Sequence, residues 1–199
     1  YGFRGKLVAD LSDVLTATAI AEYNQSESDC CAFTYRSVPT GTTIFGQPVV
    51  GPGITPSKTN KSLRVDAPLQ SDTTDWMTSL KLDYEMGDYT LTSITGYRDW
   101  EYDWAIDVDG IDTLTINQGG PYVSELLTQE LRIASPASET FEYVAGLYYA
   151  KSENSRSFDR GPIALSSWTG TADSELLALF GQSKIGLADN LALIAGVRV

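Results

Sequence analysis

Two kinds of side chain that could do chemistry interleave along "RDWEYDWAIDVDGID" (Arg98–Asp112). Arg98, Trp100, Tyr102 and Trp104 recur at every second position, so on a strand they share one face. A wall of such rings suits catecholate or sugar ligands, through stacking and amphipathic contact. The same rings would equally serve in an aromatic belt or in loop packing, and the belt is the more general requirement. Asp107, Asp109 and Asp112 surround Gly110 and resemble part of a calcium loop. The twelve-residue pattern and its closing Glu are missing. A solvated acidic loop is therefore expected there, and no metal is assigned.

Elsewhere the sequence excludes more than it offers. There is no histidine, so Ser–His and Cys–His nucleophilic pairs are absent. No glycine-rich phosphate loop follows a strand and opens a helix. Carboxylates are plentiful, yet nothing singles out a glycosidase pair. No enzyme and no cofactor is expected. A net charge of −12 argues against nucleic acid, which requires a basic face. No run approaches the ~20 apolar residues of a membrane helix. Tyr1–Asp10 carries no signal-peptide pattern, so this numbering is expected to begin after a processed or truncated part. The only cysteines, Cys30 and Cys31, are adjacent. They fit a strained vicinal disulfide in an oxidising compartment or a pair of thiols, and too few other ligands exist for zinc.

The elements that must position these residues read as strands throughout. "DWMTSLKLDYE", "YTLTSITGYRDWEYDW", "VSELLTQELRIAS" and "FEYVAGLYYAKSE" alternate in hydrophobicity. "SELLALFGQSKIGL" has some helical spacing, but Gly181 and Gly186 favour a strand. The count is about eight strands and no convincing helix. Short turns ("LSD", "MGD", "PASET", "ADN") alternate with long connections at about 25–73, 104–121 and 154–173. That inequality of the two ends is the pattern of an up-and-down membrane barrel. Three strands also place aromatics eight residues apart on one parity: Trp76 and Tyr84, Tyr89 and Tyr97, Phe141 and Tyr149. Eight tilted residues climb about 20 Å, close to the ~25 Å apolar band between aromatic girdles. The opposite parity, including Lys81, Asp83, Arg98, Glu130, Arg132 and Lys184, carries charges and small polar groups. It is expected to face a lumen, with Glu130, Arg132 and Arg98 pairing across neighbouring strands.

"LTSITGYRDWE", "SELLTQELRIASP", "FEYVAGLYYA" and "LALFGQSKIGLADNLALIAGVRV" resemble barrel strands of TonB-dependent outer-membrane receptors. The resemblance runs over nearly the whole chain. It implies an all-β, antiparallel up-and-down transmembrane β-barrel, with 1–199 supplying about eight strands of a 22-stranded barrel as an internal part of a receptor. It further implies a Gram-negative outer-membrane location and TonB-energised uptake of a scarce ligand, by default a ferric siderophore. Contact with the TonB complex would run through a plug region outside this chain, and the other partner would be outer-membrane lipid. Paired cysteines in the loop before "DWMTSLKLDYE" also resemble the family. The acids of Asp99–Asp112 would repel an anionic ferric complex, which leaves room for neutral or cationic ligands. Two alternatives stand beside this reading. One is a passive porin-like barrel, and the other is a secreted soluble β-sandwich that binds carbohydrate.

Overall fold

Strict alternation of apolar and polar side chains cannot be buried by a helix, and here it builds one antiparallel sheet. The computed structural model describes residues 1–29, 31–112, 116–138, 140–162 and 165–199. Eight long strands form the sheet: β1 (Gly2–Ser12), β2 (Leu15–Ser26), β5 (Gln70–Met86), β6 (Tyr89–Asp107), β7 (Ile116–Ala134), β8 (Phe141–Pro162), β9 (Ser166–Ala188) and β10 (Leu191–Arg198). The short strands β3 (Thr43–Ile44) and β4 (Gln47–Pro48) form a separate hairpin within the connection from β2 to β5. The sheet order is β1-β2-β5-β6-β7-β8-β9-β10, each strand pairing with its neighbours in sequence. This is the up-and-down meander expected from the alternation. β1 and β10 are its two edges, and the sheet is not closed among the described residues.

One end of the meander is tight. β5 and β6 are joined by Gly87 and Asp88 alone, with Gly87 at φ 63°, the left-handed conformation that a two-residue hairpin requires. The other end differs from the sequence reading. The connection expected over 104–121 is mostly strand, since β6 runs to Asp107 and β7 begins at Ile116. Likewise the connection expected over 154–173 shrinks to 163–165 between β8 and β9. These extensions are polar on one or both faces, so the apolar alternation that marks a strand is absent while backbone pairing continues.

The buried apolar side chains among the described residues are few: Val49, Ala67, Ile111, Ile116 and Ala178. Most cluster where the β2–β5 connection meets the β6–β7 tip, away from the sheet's centre. Meanwhile Leu80, Leu131, Leu147, Leu177, Leu179 and Leu193 are exposed. A soluble domain of this size would bury most such residues. No second sheet of comparable length packs on the first among the described residues, so the sandwich alternative lacks the layer that would make its core.

Candidate functional site

The two parities of the central strands differ in exposure. Trp76, Thr78, Leu80, Tyr97, Leu127 and Leu147 are exposed, whereas Met77, Ser79, Thr92, Ile94, Thr128 and Glu130 are half-buried or buried. A curved sheet spreads side chains on its convex face and crowds those on its concave face. The apolar parity is therefore the outer face.

Register fixes the level of each ring on that face. Trp76 pairs with Asp99, Asp99 with Glu125, and Glu125 with Glu153. Measured from this row, Tyr97 lies two residues lower on β6 and Tyr149 four residues lower on β8. Tyr84, Leu91, Ile133 and Ala145 form a second row, and Tyr89 and Phe141 are displaced from it by the same two and four residues. Four residues span about 13 Å, and the three strand spacings from β5 to β8 span about 14 Å. Both aromatic levels are thus horizontal if the strands tilt by about 40°, the ordinary tilt of a membrane barrel. Trp76, Tyr84, Tyr89, Tyr97 and Phe141 are exposed, and Tyr149 is half-buried.

Above the upper ring level the two faces separate by charge. Asp99, Glu101, Asp103, Glu125, Glu153 and Asp173 lie on the outer parity. The acids of "RDWEYDWAID" nearest the rings therefore lie on the opposite face from the inner wall. Arg98, Trp100, Tyr102 and Trp104 lie on the inner parity, opposite Trp76 and Tyr97. They are consequently no part of the outer aromatic level.

The inner wall assembles these rings with others. Trp100 and Tyr102 stack at 5.9 Å between centroids and 19° between planes. Tyr122 of β7 meets Trp100 edge-on at 5.3 Å. Trp104 of β6 and Phe158 of β8 come within 6.5 Å across β7, because the β7 residue paired with Trp104 is Gly120, which has no side chain. Phe158 stacks on its direct partner Trp168 at 5.8 Å and 20°. Three arginines accompany the rings. Arg98 donates from Nε and Nη2 to the Asp75 carboxylate at 2.8 and 2.9 Å. Arg156 lies over Trp168, 5.7 Å from the ring centre. Arg160 lies 5.5 Å from the Phe158 centre and donates to the neutral Gln118 amide oxygen, at 2.9 Å from Nε.

Comparison with solved structures follows from this geometry. The chain is similar to the ferric yersiniabactin uptake receptor FyuA from Yersinia pestis, with 13% identity and a TM-score of 0.60, covering 100% of this chain and 36% of that one. It is also similar to the RagAB peptide importer in its closed-closed state, with 14% identity and a TM-score of 0.63, covering 99% of this chain and 27% of that one. What is shared is the fold, the antiparallel up-and-down wall of a β-barrel. The chain spans about a third of the length of these two structures. No protein-family model and no curated protein matches the sequence.

On this barrel wall the lower inner face is charge-balanced. Lys81 and Asp83 pair at 2.7 Å, with the Thr92 hydroxyl donating to Asp83 at 2.8 Å. Glu130 pairs with Arg132 of its own strand at 3.2 Å, and Lys184 with Glu142 at 3.4 Å. The pairing expected between Arg98 and Glu130 across neighbouring strands is not formed. Arg98 has a closer acid in Asp75, two positions above Met77, its direct β5 partner.

The β6–β7 tip uses its acids structurally. Asp107 accepts from the backbone N–H of Gly110 at 2.6 Å and of Asp66 at 3.2 Å. Asp109 accepts from Ile111 at 3.0 Å and Ile116 at 3.1 Å. Asp112 pairs with Arg64. The tip is thus tied to the β2–β5 connection, and the Tyr35 hydroxyl adds a bond to the Asp109 carbonyl at 2.6 Å. Burial holds the Asp109 carboxyl above the usual range despite its two N–H donors, with the nearby Asp107 and Asp66 charges adding to the rise. Burial also raises the Tyr35 phenol, helped by Asp109 and Asp107. Among the described residues no cluster of three or more potential ligands is arranged to hold a metal. Cys31 is disulfide-bonded, while Cys30 lies outside the described residues.

Sequence reasoning reached Arg98, Trp100, Tyr102 and Trp104 but not Tyr122, Arg156, Phe158, Arg160 or Trp168. The last four fell inside a segment read as loop. The signal was present as "SRSFDRG", where Arg156, Phe158 and Arg160 alternate as regularly as the rings of β6.

Proposed function

We propose that this chain is the barrel wall of a TonB-dependent receptor in a Gram-negative outer membrane, importing a scarce small ligand, by default a ferric siderophore. The observation that carries the reading is the two-faced sheet. Its outer face is an apolar band edged by rings that stay level at a tilt of about 40°, and its inner face is polar below and aromatic above. Trp76, Tyr84, Tyr89, Tyr97, Phe141 and Tyr149 are then the lipid-interface girdles, and outer-membrane lipid is their partner. The acidic tips and the β2–β5 connection lie on the extracellular side, and the tight turns lie on the periplasmic side. Arg98, Trp100, Tyr102 and Trp104, joined by Tyr122, Phe158 and Trp168, line the vestibule through which the ligand descends. The work is binding and transport without a catalytic step, and energy comes from the TonB complex through a plug domain encoded elsewhere in the protein.

The test is uptake by the full-length protein in cells with and without a functional TonB complex, using radioactive iron supplied as a set of ferric chelates. Uptake of one chelate that stops when TonB is absent is expected. Uptake that persists without TonB assigns a passive porin instead. Recovery of the protein from the soluble fraction, folded without detergent, removes the membrane reading altogether.

A further inference from the structure

We propose that the vestibule selects an anionic ligand bearing a flat ring, and that Arg156 and Arg160, with Phe158 and Trp168, are the residues that read it. The inference rests on the uptake reading, since it names the ligand class of the same inner wall.

Three observations converge on β8 and β9. First, the arginine anticipated from the sequence is neutralised. Arg98 faces Asp75 with two hydrogen bonds and has no charge to spare for a ligand. Second, the other two arginines are not neutralised. Arg160 is oriented by the uncharged Gln118, and Arg156 makes no ion pair with any described carboxylate. The nearby acids Asp159 and Glu153 have the outer parity, so they face the other side of the sheet. Third, both guanidinium groups lie against rings, Arg156 at Trp168 and Arg160 at Phe158. The Nε and Nη2 donors of Arg160 are taken by the Gln118 oxygen, which leaves Nη1 for an anion, whereas Arg156 makes no hydrogen bond to a described residue.

The spacing defines what fits. Arg156, Phe158 and Arg160 follow at every second residue, so the arginine backbones stand about 13 Å apart along β8 with a ring between them. Trp168, opposite Phe158, remains 46% exposed and offers surface for a second ring. A ligand with an aromatic body and anionic oxygens can satisfy both kinds of group at once. A neutral ligand uses only the rings, and a cation is repelled.

The experiment uses the purified full-length receptor in detergent and two iron(III) probes, the trianionic tris-catecholate complex and the neutral tris-acetohydroxamate complex. Binding is read from quenching of tryptophan fluorescence at low and high salt. The trianion is expected to bind more tightly and to weaken with salt. Its affinity should fall about tenfold in Arg156→Gln or Arg160→Gln, the loss of one charge-assisted contact. Arg156→Lys should retain the salt dependence, and Lys151→Gln, on the outer parity and paired with Glu153, should change affinity less than about twofold. Thermal midpoints of each variant separate lost contacts from lost folding. The proposal is overturned if the trianion does not bind the parent receptor, if the neutral probe binds as tightly, or if the doubly substituted Arg156→Gln, Arg160→Gln receptor binds the trianion unchanged. Anion binding without TonB-dependent uptake would overturn the transport reading alone. Uptake confined to neutral chelates would overturn this proposal alone.

Discussion

Asp75 grips Arg98 through two parallel hydrogen bonds across the β5–β6 pair, 2.8 Å from Nε and 2.9 Å from Nη2. The pair stands at the base of the inner aromatic wall, immediately below Trp100. Bidentate geometry makes it specific, but Arg98 remains about half exposed, so its net worth is small, about 1 kcal/mol or less. Replacing Asp75 by Asn should therefore leave the unfolding midpoint almost unchanged while releasing a cation into the vestibule. Binding of a trianionic ferric complex should strengthen and become more salt-dependent. Titration at two salt concentrations checks this, and an unchanged salt slope would show that Arg98 stands outside the ligand's reach.

Gly120 tests how the wall is built. Its φ of 137° disfavours any side chain, and a Cβ placed there would stand 2.4 Å from the Ser157 carbonyl oxygen. It is also the gap through which Trp104 reaches Phe158. Gly120→Ala should cost about 1–3 kcal/mol from backbone strain alone, with more from the clash. Denaturant unfolding of the full-length protein measures the loss. Gly5→Ala on β1 is the control, because nothing lies within 4 Å of its would-be Cβ.

The meander was legible because one face of each strand is apolar along the sheet. That constraint writes itself into the sequence as strict alternation, and the level of the rings as a spacing of eight. The vestibule was half legible. Above the band both faces of a strand are wet, so polarity no longer distinguishes inside from outside. Register then carries the information, and register is a property of neighbouring strands. "RDWEYDW" still alternated rings with acids and could be read, although only pairing showed that the acids Asp99, Glu101 and Asp103 belong outside. "SRSFDRG" alternated just as well, but its strand was hidden by the lack of apolar residues. The tip acids were misread for another reason. Asp107 and Asp109 are buried acceptors for backbone N–H groups, and a buried Asp in a turn looks like a solvated one until its partners are known.

Asp109 gives a pH dependence with a definite sign. Its carboxyl is raised in the folded tip, first by burial and then by the neighbouring Asp107 and Asp66 charges. The folded state therefore holds its proton at a pH where the unfolded tip has released it. Stability from this group is present below the ordinary carboxylate range and declines as pH rises through the window up to the raised value. Hydrogen exchange at the Ile111 and Ile116 amides should report easier opening as pH increases across that window, after correction for intrinsic exchange. In Asp109→Asn this slope should vanish. The amide can still accept one N–H but not both, so protection of one of the two amides should fall.

The outer face offers the most direct test of the membrane band. Leu147 lies between Phe141 and Tyr149 on the convex face of β8 and is 48% exposed. Ser152 lies on the opposite parity of the same strand, beside Leu126 and Ser174. In a water-soluble sheet an arginine at exposed Leu147 would be tolerated, within about 0.5 kcal/mol. In a lipid-facing band the charge must be drawn toward the interface or be desolvated, at about 2–4 kcal/mol near the midplane. Leu147→Arg should therefore lower the folded fraction of the full-length protein in lipid vesicles and leave Ser152→Arg close to the parent. Heat-dependent migration on gels, together with reversible unfolding in vesicles, reads both. Ser152 also stands three residues above Tyr149, so it reports the tolerance of an arginine beyond the band on the same strand, and Leu147 the tolerance inside it. Equal tolerance at Leu147 and Ser152 would mean that no lipid meets the convex face, and the rings from Trp76 to Tyr149 would then need another partner.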